Sequence, residues 1–363
     1  MSPVRFLVAP PGARRLPFFM HASTLFADDI NQLLTSIIDG CSQGAYVLID
    51  EKILQLRSDL TCLDGARSCM SMSGGESIKE IAGLEKSVEW LAAENAERGS
   101  TLLVIGGGSL LDLGGFVASI YKRGMDLVLV PTTLLAMVDA AVGGKNGINT
   151  RFAKNMLGTF YQPKQIISDE KFLKSLTQDE LKSGVSEMLK HAFIAGGRHW
   201  RDFCLDMVPG KLPPLHLVSE SSRIKAEITS ADEREASLRM VLNFGHTLGH
   251  AIESYFLSTS ISASHGACVA TGMAIETILS ESLGFTPSHV RTELLGMIDK
   301  HSLALSVDLP EFEKVAPYLM NDKKIQQGKF LIPCFSSSGV YEIKRIDHDL
   351  NLRRSYENYC EMK

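Results

Sequence analysis

Nowhere in these 363 residues is there a run approaching the roughly 20 apolar positions that a membrane-spanning helix needs. The leading stretch offers no unbroken apolar core, because Pro10, Pro11, Arg14 and Arg15 interrupt it, so no secretory leader is expected. Cysteine is present but unorganised: Cys41, Cys62, Cys69, Cys204, Cys268, Cys334 and Cys360 are an odd set without a C-x-x-C pair. That argues against a disulfide framework and against a zinc ribbon, and makes a reducing cytoplasm the expected setting. Excess positive charge is missing too. The 37 Lys and Arg stand against 42 Asp and Glu, a net charge of −5, which leaves no footprint for nucleic acid or an anionic membrane. No internal repeat or low-complexity tract is visible.

What is present is the composition of a globular enzyme, 22% charged and 45% apolar, at a length that predicts two domains. The chain is organised around residues 104–155. An apolar run, Leu102 to Ile105, ends in Gly106-Gly107-Gly108-Ser109 and passes into an amphipathic segment, Leu110 to Tyr121. A strand that feeds a glycine turn and a helix start is suited to a phosphate group, which the backbone N–H groups can approach. Taken alone, such a turn is more often just a turn. A second apolar run, Leu127 to Val130, ends in Pro131-Thr132-Thr133, so two strand ends and their polar loops face one sheet edge. Within the next residues lie Asp139, Lys145, Lys154 and Asn155, interleaved with Gly143, Gly144 and Gly147.

This segment resembles the 3-dehydroquinate synthases, within the sugar-phosphate cyclases, and the resemblance runs from about Asp50 to Lys324. Earlier in the chain, Val4 to Val8 and Leu16 to Met20 read as short strands, Phe26 to Ile38 as a helix, and Tyr46 to Ile49 as a buried strand ending at Asp50. Asp50 is read equally as a cap of the next turn and as a ribose contact; the resemblance favours the contact, although Lys52 stands where the family usually has asparagine. Glu76 and Lys79 read as an i,i+3 pair ahead of a helix from Leu84 to Arg98, its face formed by Leu84, Val88, Leu91 and Ala92. They also match a family G-E-x-x-K element that holds NAD. The resemblance adds Gly107, Gly108, Ser109, Asp112, Thr132, Thr133, Leu135, Asp139, Lys145 and Lys154 to the NAD contacts.

After a last strand at Gln165 to Ser168 the pattern turns helical, with Leu181, Val185, Met188, Leu189 and Phe193 on one face, and Val208 to Pro214 reads as a loop. Glu187 and Lys190, at i,i+3, would ordinarily be a surface pair. The run Asn243-Phe244-Gly245-His246-Thr247-Leu248-Gly249-His250 changes that reading, since two imidazoles among apolar residues need strong partners. His265-Gly266 supplies a third histidine, and one carboxylate with two histidines suits a catalytic zinc. Matching the family's elements implies Glu187, His246 and His265 as metal ligands, zinc first and cobalt second, with His250 on the substrate phosphate. A site using both His246 and His250 stays open as an alternative. Lys225 and Arg239, by composition a solvated face around Asp232, Glu233, Arg234 and Glu235, are implied as substrate contacts, Arg239 with its fork on a carboxylate. Asn243 belongs to the same element. Lys323 and Lys324 match a D-K-K element before a strand from Phe330 to Pro333, one of them reaching the phosphate.

The expected architecture is an α/β NAD-binding domain over residues 1–175 and a mainly helical metal- and substrate-binding domain over 176–363, with the active site in the cleft between. The implied activity is conversion of 3-deoxy-D-arabino-heptulosonate 7-phosphate to 3-dehydroquinate and phosphate, in the shikimate pathway of aromatic amino acid biosynthesis. Lys145, Asn155, Lys190, His250 and Lys323 or Lys324 are expected on the phosphate, Asp139 and Lys154 on the nicotinamide and hydroxyl geometry, and Arg123 reaching in from a second copy in a homodimer. Ala140 and His191 depart from the serine and tyrosine common in the family.

Overall fold

The computed structural model describes residues 23–27, 29–151, 154–259, 261–319, 329–347 and 350–363. The expected strands at Val4 to Val8 and Leu16 to Met20, and the pair Lys323 and Lys324, lie outside the described residues. The chain divides into two compact units at Thr177 and Gln178.

The first unit is built on strands β1 (Ser23–Phe26), β2 (Ala45–Asp50), β3 (Ser68–Met72), β4 (Thr101–Gly106), β5 (Asp126–Pro131) and β8 (Gln165–Ser168). They form one sheet in the order β1-β8-β5-β4-β2-β3, every neighbouring pair parallel. Strands β2 and β4 read as unbroken apolar runs because both faces of a parallel sheet are covered: Val47, Leu48, Ile49, Leu102, Leu103, Val104 and Ile105 are all buried. The strand order reverses between β2 and β4, and Ile49 pairs with Ile105, so Asp50 and Gly106 emerge side by side at the carboxyl edge. That is the crevice in which open α/β sheets take ligands. A separate antiparallel pair, β6 (Lys145–Ile148) with β7 (Leu157–Phe160), completes the strands of this unit.

Its helices are α1 (Ile30–Gly40), α2 (Glu51–Leu56), α3 (Ile81–Ala93) and α4 (Gly108–Ile120). Three expectations are corrected here. Phe26 belongs to β1, and α1 starts at Ile30 because the Asp29 side chain caps it on the amides of Asn31 and Gln32. Helix α3 buries Gly83, Ser87 and Leu91, leaves Ala92 exposed, and stops at Ala93, just before Asn95 with φ 55°. Helix α4 is not amphipathic. It packs on β4 on one side and β6 on another, so Leu110, Leu111, Leu113, Phe116 and Val117 are all buried.

The second unit is mainly helical: α5 (Gln178–Ala195), α6 (Gly197–Asp206), α7 (Leu215–Ala231), α8 (His246–Ser258), α9 (His265–Ser282), α10 (Ser288–Lys300), α11 (Phe312–Leu319) and α12 (Leu350–Met362). An antiparallel hairpin, β9 (Lys329–Ser337) with β10 (Val340–Asp347), joins them, longer than the expected Phe330 to Pro333. Its core includes Phe193, Phe244 and Phe335, with ring centroids 4.8 Å apart for Phe193 with Phe335 and for Phe244 with Phe335. Helices α5 and α9 are buried on nearly every face, from Ser183 to Ile194 and from Cys268 to Ser280. Polar residues on such helices must find partners, and theirs form the site described next. No helix among the described residues is long and apolar enough to cross a membrane.

Candidate active site residues in the two units

In the helical unit, α5 carries Glu187, Lys190 and His191 on successive turns, all buried, with Glu187 and His191 fully so. The ammonium of Lys190 is ion-paired with Glu187 Oε2 and donates to the Leu242 carbonyl at 2.8 Å. His191 Nδ1 meets Ser221 Oγ at 2.9 Å, and its Nε2 is 3.9 Å from Glu187 Oε2.

Helix α8 starts abruptly at His246. Gly245 precedes it with φ 77°, a left-handed conformation, and a Cβ there would come within 2.5 Å of the Val269 carbonyl on α9. No side chain of its own caps this helix; the buried Glu276 of α9 accepts from Gly245 N at 2.8 Å and Leu248 N at 3.4 Å. Helix α9 in turn starts at His265, and Gly266 lets it close on α5, where a Cβ would stand 2.3 Å from Ser183 Cα. Close helix contacts thus bring residues far apart in the chain together.

Three imidazoles meet there, with centroids 5.0 Å apart for His246 and His250, 5.5 Å for His246 and His265, and 5.7 Å for His250 and His265. One nitrogen from each lies within 4.8 Å of the others. Glu187 Oε1 is 3.6 Å from His246 Nε2 and 3.8 Å from His265 Nε2. A tetrahedral ion with bonds of about 2.0–2.1 Å would separate its ligand atoms by about 3.4 Å, so the distances from Glu187 to His246 and to His265 suit a divalent metal. The outer nitrogens have partners of their own. His246 Nδ1–H donates to the Phe244 carbonyl at 3.2 Å and His265 Nδ1–H to Glu253 Oε2 at 3.2 Å, which leaves both Nε2 atoms facing Glu187. Burial by itself would lower the His265 pKa, but the carboxylates of Glu187 and Glu253 overcome it and raise it to about 10. The site therefore stabilises positive charge. His250 is the most exposed of the three histidines.

Lys225 and Arg239, which composition alone would leave solvated, are both buried. The Arg239 guanidinium donates to the Glu233 carbonyl at 2.7 Å, and its backbone N–H to Asp232 Oδ2 at 3.0 Å. Asn243 Nδ2 donates to Glu235 Oε1 at 2.5 Å. The acidic turn is thus the anchor of this segment.

In the α/β unit, Gly107 precedes α4, whose first turn has no side-chain cap and begins with Gly108 and Ser109. A Cβ on Gly108 would stand 3.1 Å from the Ala140 side chain, so glycine suits the start of this turn. Asp50 caps α2 through Lys52 N at 2.9 Å, and Gly74 lies close against its other oxygen. The capping reading of Asp50 is therefore seen directly.

Glu76 accepts from Ser109 Oγ and from Asn149 Nδ2, each at 2.8 Å. Lys79, buried, donates to Asp112 Oδ2 and Asn155 Oδ1, each at 2.7 Å. Burial would raise the Glu76 carboxyl, but the Lys79 charge, then the Asn149 and Ser109 hydrogen bonds and the Lys154 charge, hold it below its ordinary value. Thr133 Oγ1 accepts from Ala136 N at 3.2 Å, starting the turn that carries Asp139, while Thr132 is buried. Leu135 is half-buried; Lys145 and Lys154 are exposed. Arg123 is exposed with φ 69°.

Sequence reasoning missed Asn149, Glu253 and Glu276. Glu253 was within reach, because it follows His246 by seven residues and His250 by three on one helical face. Glu276 had no local signal, since its work is done across a helix contact.

Family models described as 3-dehydroquinate synthase N-terminal and 3-dehydroquinate synthase C-terminal match residues 69–183 and 184–325. A 3-dehydroquinate synthase of Saccharolobus solfataricus is 37% identical over 301 residues, 80% of this chain and 84% of that protein. One from Geotalea uraniireducens is 40% identical over 261 residues, 70% and 71% of the two. Among solved structures, a 2-deoxy-scyllo-inosose synthase complexed with carbaglucose-6-phosphate, NAD+ and Co2+ is similar with a TM-score of 0.82 at 21% identity, over 92% of this chain and 96% of that one. A 2-epi-5-epi-valiolone synthase from Streptomyces hygroscopicus with NAD+ and Zn2+ bound gives 0.78 at 22%, over 96% and 99%. At these identities the likeness concerns the fold.

Proposed function

The chain belongs to the 3-dehydroquinate synthase family, and from that membership we propose how its residues divide the work. The reaction is conversion of 3-deoxy-D-arabino-heptulosonate 7-phosphate to 3-dehydroquinate and phosphate in the shikimate pathway, by an NAD- and metal-dependent lyase. The observation that carries this is the uninterrupted family match from residue 69 to 325.

When bound, NAD supplies a hydride acceptor that is regenerated within one turnover, and the divalent ion, zinc in our reading, supplies a Lewis acid. Residues 1–175 form the NAD domain. In it Gly107, Gly108 and Ser109 present backbone N–H groups to the pyrophosphate, as the uncapped start of α4 supports. Asp50, Glu76, Lys79, Asp112, Thr132, Thr133 and Leu135 bind and orient the rest of the cofactor, and Asp139 and Lys154 hold the nicotinamide end. Residues 176–363 form the metal and substrate domain, with Glu187, His246 and His265 as ligands. An ammonium has three N–H bonds; those of Lys190 serve Glu187, the Leu242 carbonyl and, in this reading, the substrate phosphate. Lys145, Asn155, His250 and Lys323 or Lys324 complete the phosphate grip. The exposed imidazole of His250, beside two ligand histidines, is placed to carry a proton to or from that phosphate. Arg239 and Lys225 meet the substrate carboxylate, and their burial supports this, because a desolvated fork pairs strongly with a carboxylate. Asn243 orients the same segment.

A homodimer is supported by large apolar side chains left exposed near Arg123 in the chain and on the strand tied to the end of α4. Ile120, Met156, Leu157 and Phe160 are large, apolar and exposed. Thr159 Oγ1 of β7 bonds Ser119 Oγ at 2.8 Å, which ties β7 to the end of α4 immediately before Tyr121, Lys122 and Arg123. A second copy that covers these side chains would also receive Arg123, and we place the homodimer contact there. The seven unbridged cysteines support a cytoplasmic location, and no role for nucleic acid or membrane is proposed.

The test is phosphate release from the heptulosonate phosphate. Release that requires NAD, yet produces no net NADH, is the expected result. Stoichiometric NADH growth would instead favour a net dehydrogenase, the activity named for a structurally similar probable glycerol dehydrogenase of Sinorhizobium meliloti, which has a TM-score of 0.60 at 12% identity over 96% of this chain and 99% of that one.

A further inference from the structure

Asn149 is nine-tenths buried, and its backbone N–H and both ends of its carboxamide bond three different partners. Its backbone N–H donates to the Lys79 carbonyl at 2.6 Å, its Nδ2 donates to Glu76 Oε1 at 2.8 Å, and its Oδ1 accepts from Asn155 N at 2.9 Å. Asn155 sits at φ 51°, a left-handed conformation that costs energy for any residue with a Cβ, although asparagine tolerates it better than most. Something must hold it there. The Asn155 side chain then closes a ring through Lys79 Nζ, which also binds Asp112, while Glu76 binds Ser109. Three segments, 76–79, 109–112 and 149–155, are therefore tied together, and Asn149 is the residue that bonds both Glu76 and the Lys79 backbone to the turn at Asn155.

We infer that Asn149 is a positioning residue: it holds Asn155 in its strained conformation and fixes Glu76, and so sets the geometry of the residues assigned to NAD and phosphate without touching either. Its carboxamide is suited to this because one end donates to a carboxylate while the other accepts from an amide. Aspartate in its place would keep the acceptor for Asn155 but set a second carboxylate against Glu76.

The inference rests on the proposed NAD role of this unit, so two readouts are needed, one of them independent of any ligand. The first is amide hydrogen exchange of the protein without ligand. In Asn149→Ala the Asn155 amide should exchange about tenfold faster or more, since its acceptor is gone, while amides of β4 and β5 keep their protection and show that the fold is intact. The second is NAD affinity, measured by calorimetry, with bound metal content alongside. Asn149→Asp should weaken NAD binding about tenfold or more with metal content unchanged. Undiminished NAD affinity in Asn149→Asp, or an Asn155 amide in Asn149→Ala that exchanges as in the parent protein, would overturn the inference. A parent protein that binds no NAD would sink the proposed function, and the Asn155 exchange rate would still decide the role of Asn149.

Discussion

The two units hold their polar residues in opposite ways. Around Glu76 and Lys79 the charges are matched inside the protein: a lysine against an aspartate and an asparagine, a glutamate against a serine and an asparagine. Around Glu187 the arrangement concentrates donors for a cation, with two imidazole nitrogens turned to one carboxylate oxygen and Glu253 behind His265. The first is paired within the protein, and the second turns two imidazole nitrogens toward one carboxylate oxygen. Polar clusters of the first kind give rigidity, whereas those of the second kind hold binding energy in reserve.

Stripping the metal breaks this comparison most sharply and should give the largest effect. A chelator should take activity to background, zinc or cobalt should restore it, and NAD affinity should change far less than activity. His246→Ala should lose metal, His250→Ala should keep metal but lose rate, and Glu253→Gln should lower metal affinity by about 10- to 100-fold. Competition with a chromophoric chelator measures metal binding in all three, and full activity in a verified metal-free preparation would defeat the assignment.

Arg239 comes next. It is buried in the helical unit yet bound to backbone, so its removal should cost kcat/KM on the order of 2–5 kcal/mol while metal and NAD binding stay near the parent values. Arg239→Lys should recover only part, since a point charge cannot reproduce the planar fork. A substrate analogue without the carboxylate should be much less sensitive; equal sensitivity would reopen the choice of substrate.

The smallest effect is expected at Asp232, whose carboxylate serves the turn around it. Burial would raise its carboxyl, but the N–H groups of Ala236, Ser237 and Arg239 outweigh this and hold it below its ordinary value. A depressed folded-state pKa contributes stability at neutral pH that is lost as pH falls through the ordinary carboxylate range and below it. Asp232→Asn should therefore destabilise by about 1 kcal/mol near pH 7, with the gap to the parent closing below about pH 4 in urea titrations. A gap that does not depend on pH would show that the charge is not what holds the turn.

Much of the α/β unit was legible because buried parallel strands are continuous apolar runs, as at Leu102 to Ile105 and Leu127 to Val130, and because glycines mark where they turn. Helix limits were less legible. Arg98 lies beyond the end of α3 because the chain turns after Ala93, and Phe26 was drawn into a helical pattern although it pairs in a strand with Ser168. Apolar spacing cannot separate a helix face from a short buried strand. Of the candidate site, Glu187, His246 and His265 were implied by the resemblance and lie together in the structure, but the hydrogen bonds that turn both imidazoles toward the carboxylate were not legible.

The sequence by itself determined the family, the buried strands at Tyr46 to Ile49, Leu102 to Ile105, Leu127 to Val130 and Gln165 to Ser168, and the residue types that chemistry requires, because these are carried by local spacing and by motifs. Tertiary structure alone decided that Arg239 and Lys225 are buried rather than solvated, that Glu276 of α9 caps α8, and that Asn149 bridges Glu76 to Asn155. The physical reason is the same in each case: burial and hydrogen-bond partners depend on which distant segments the packing brings within about 3 Å, and no local pattern encodes that.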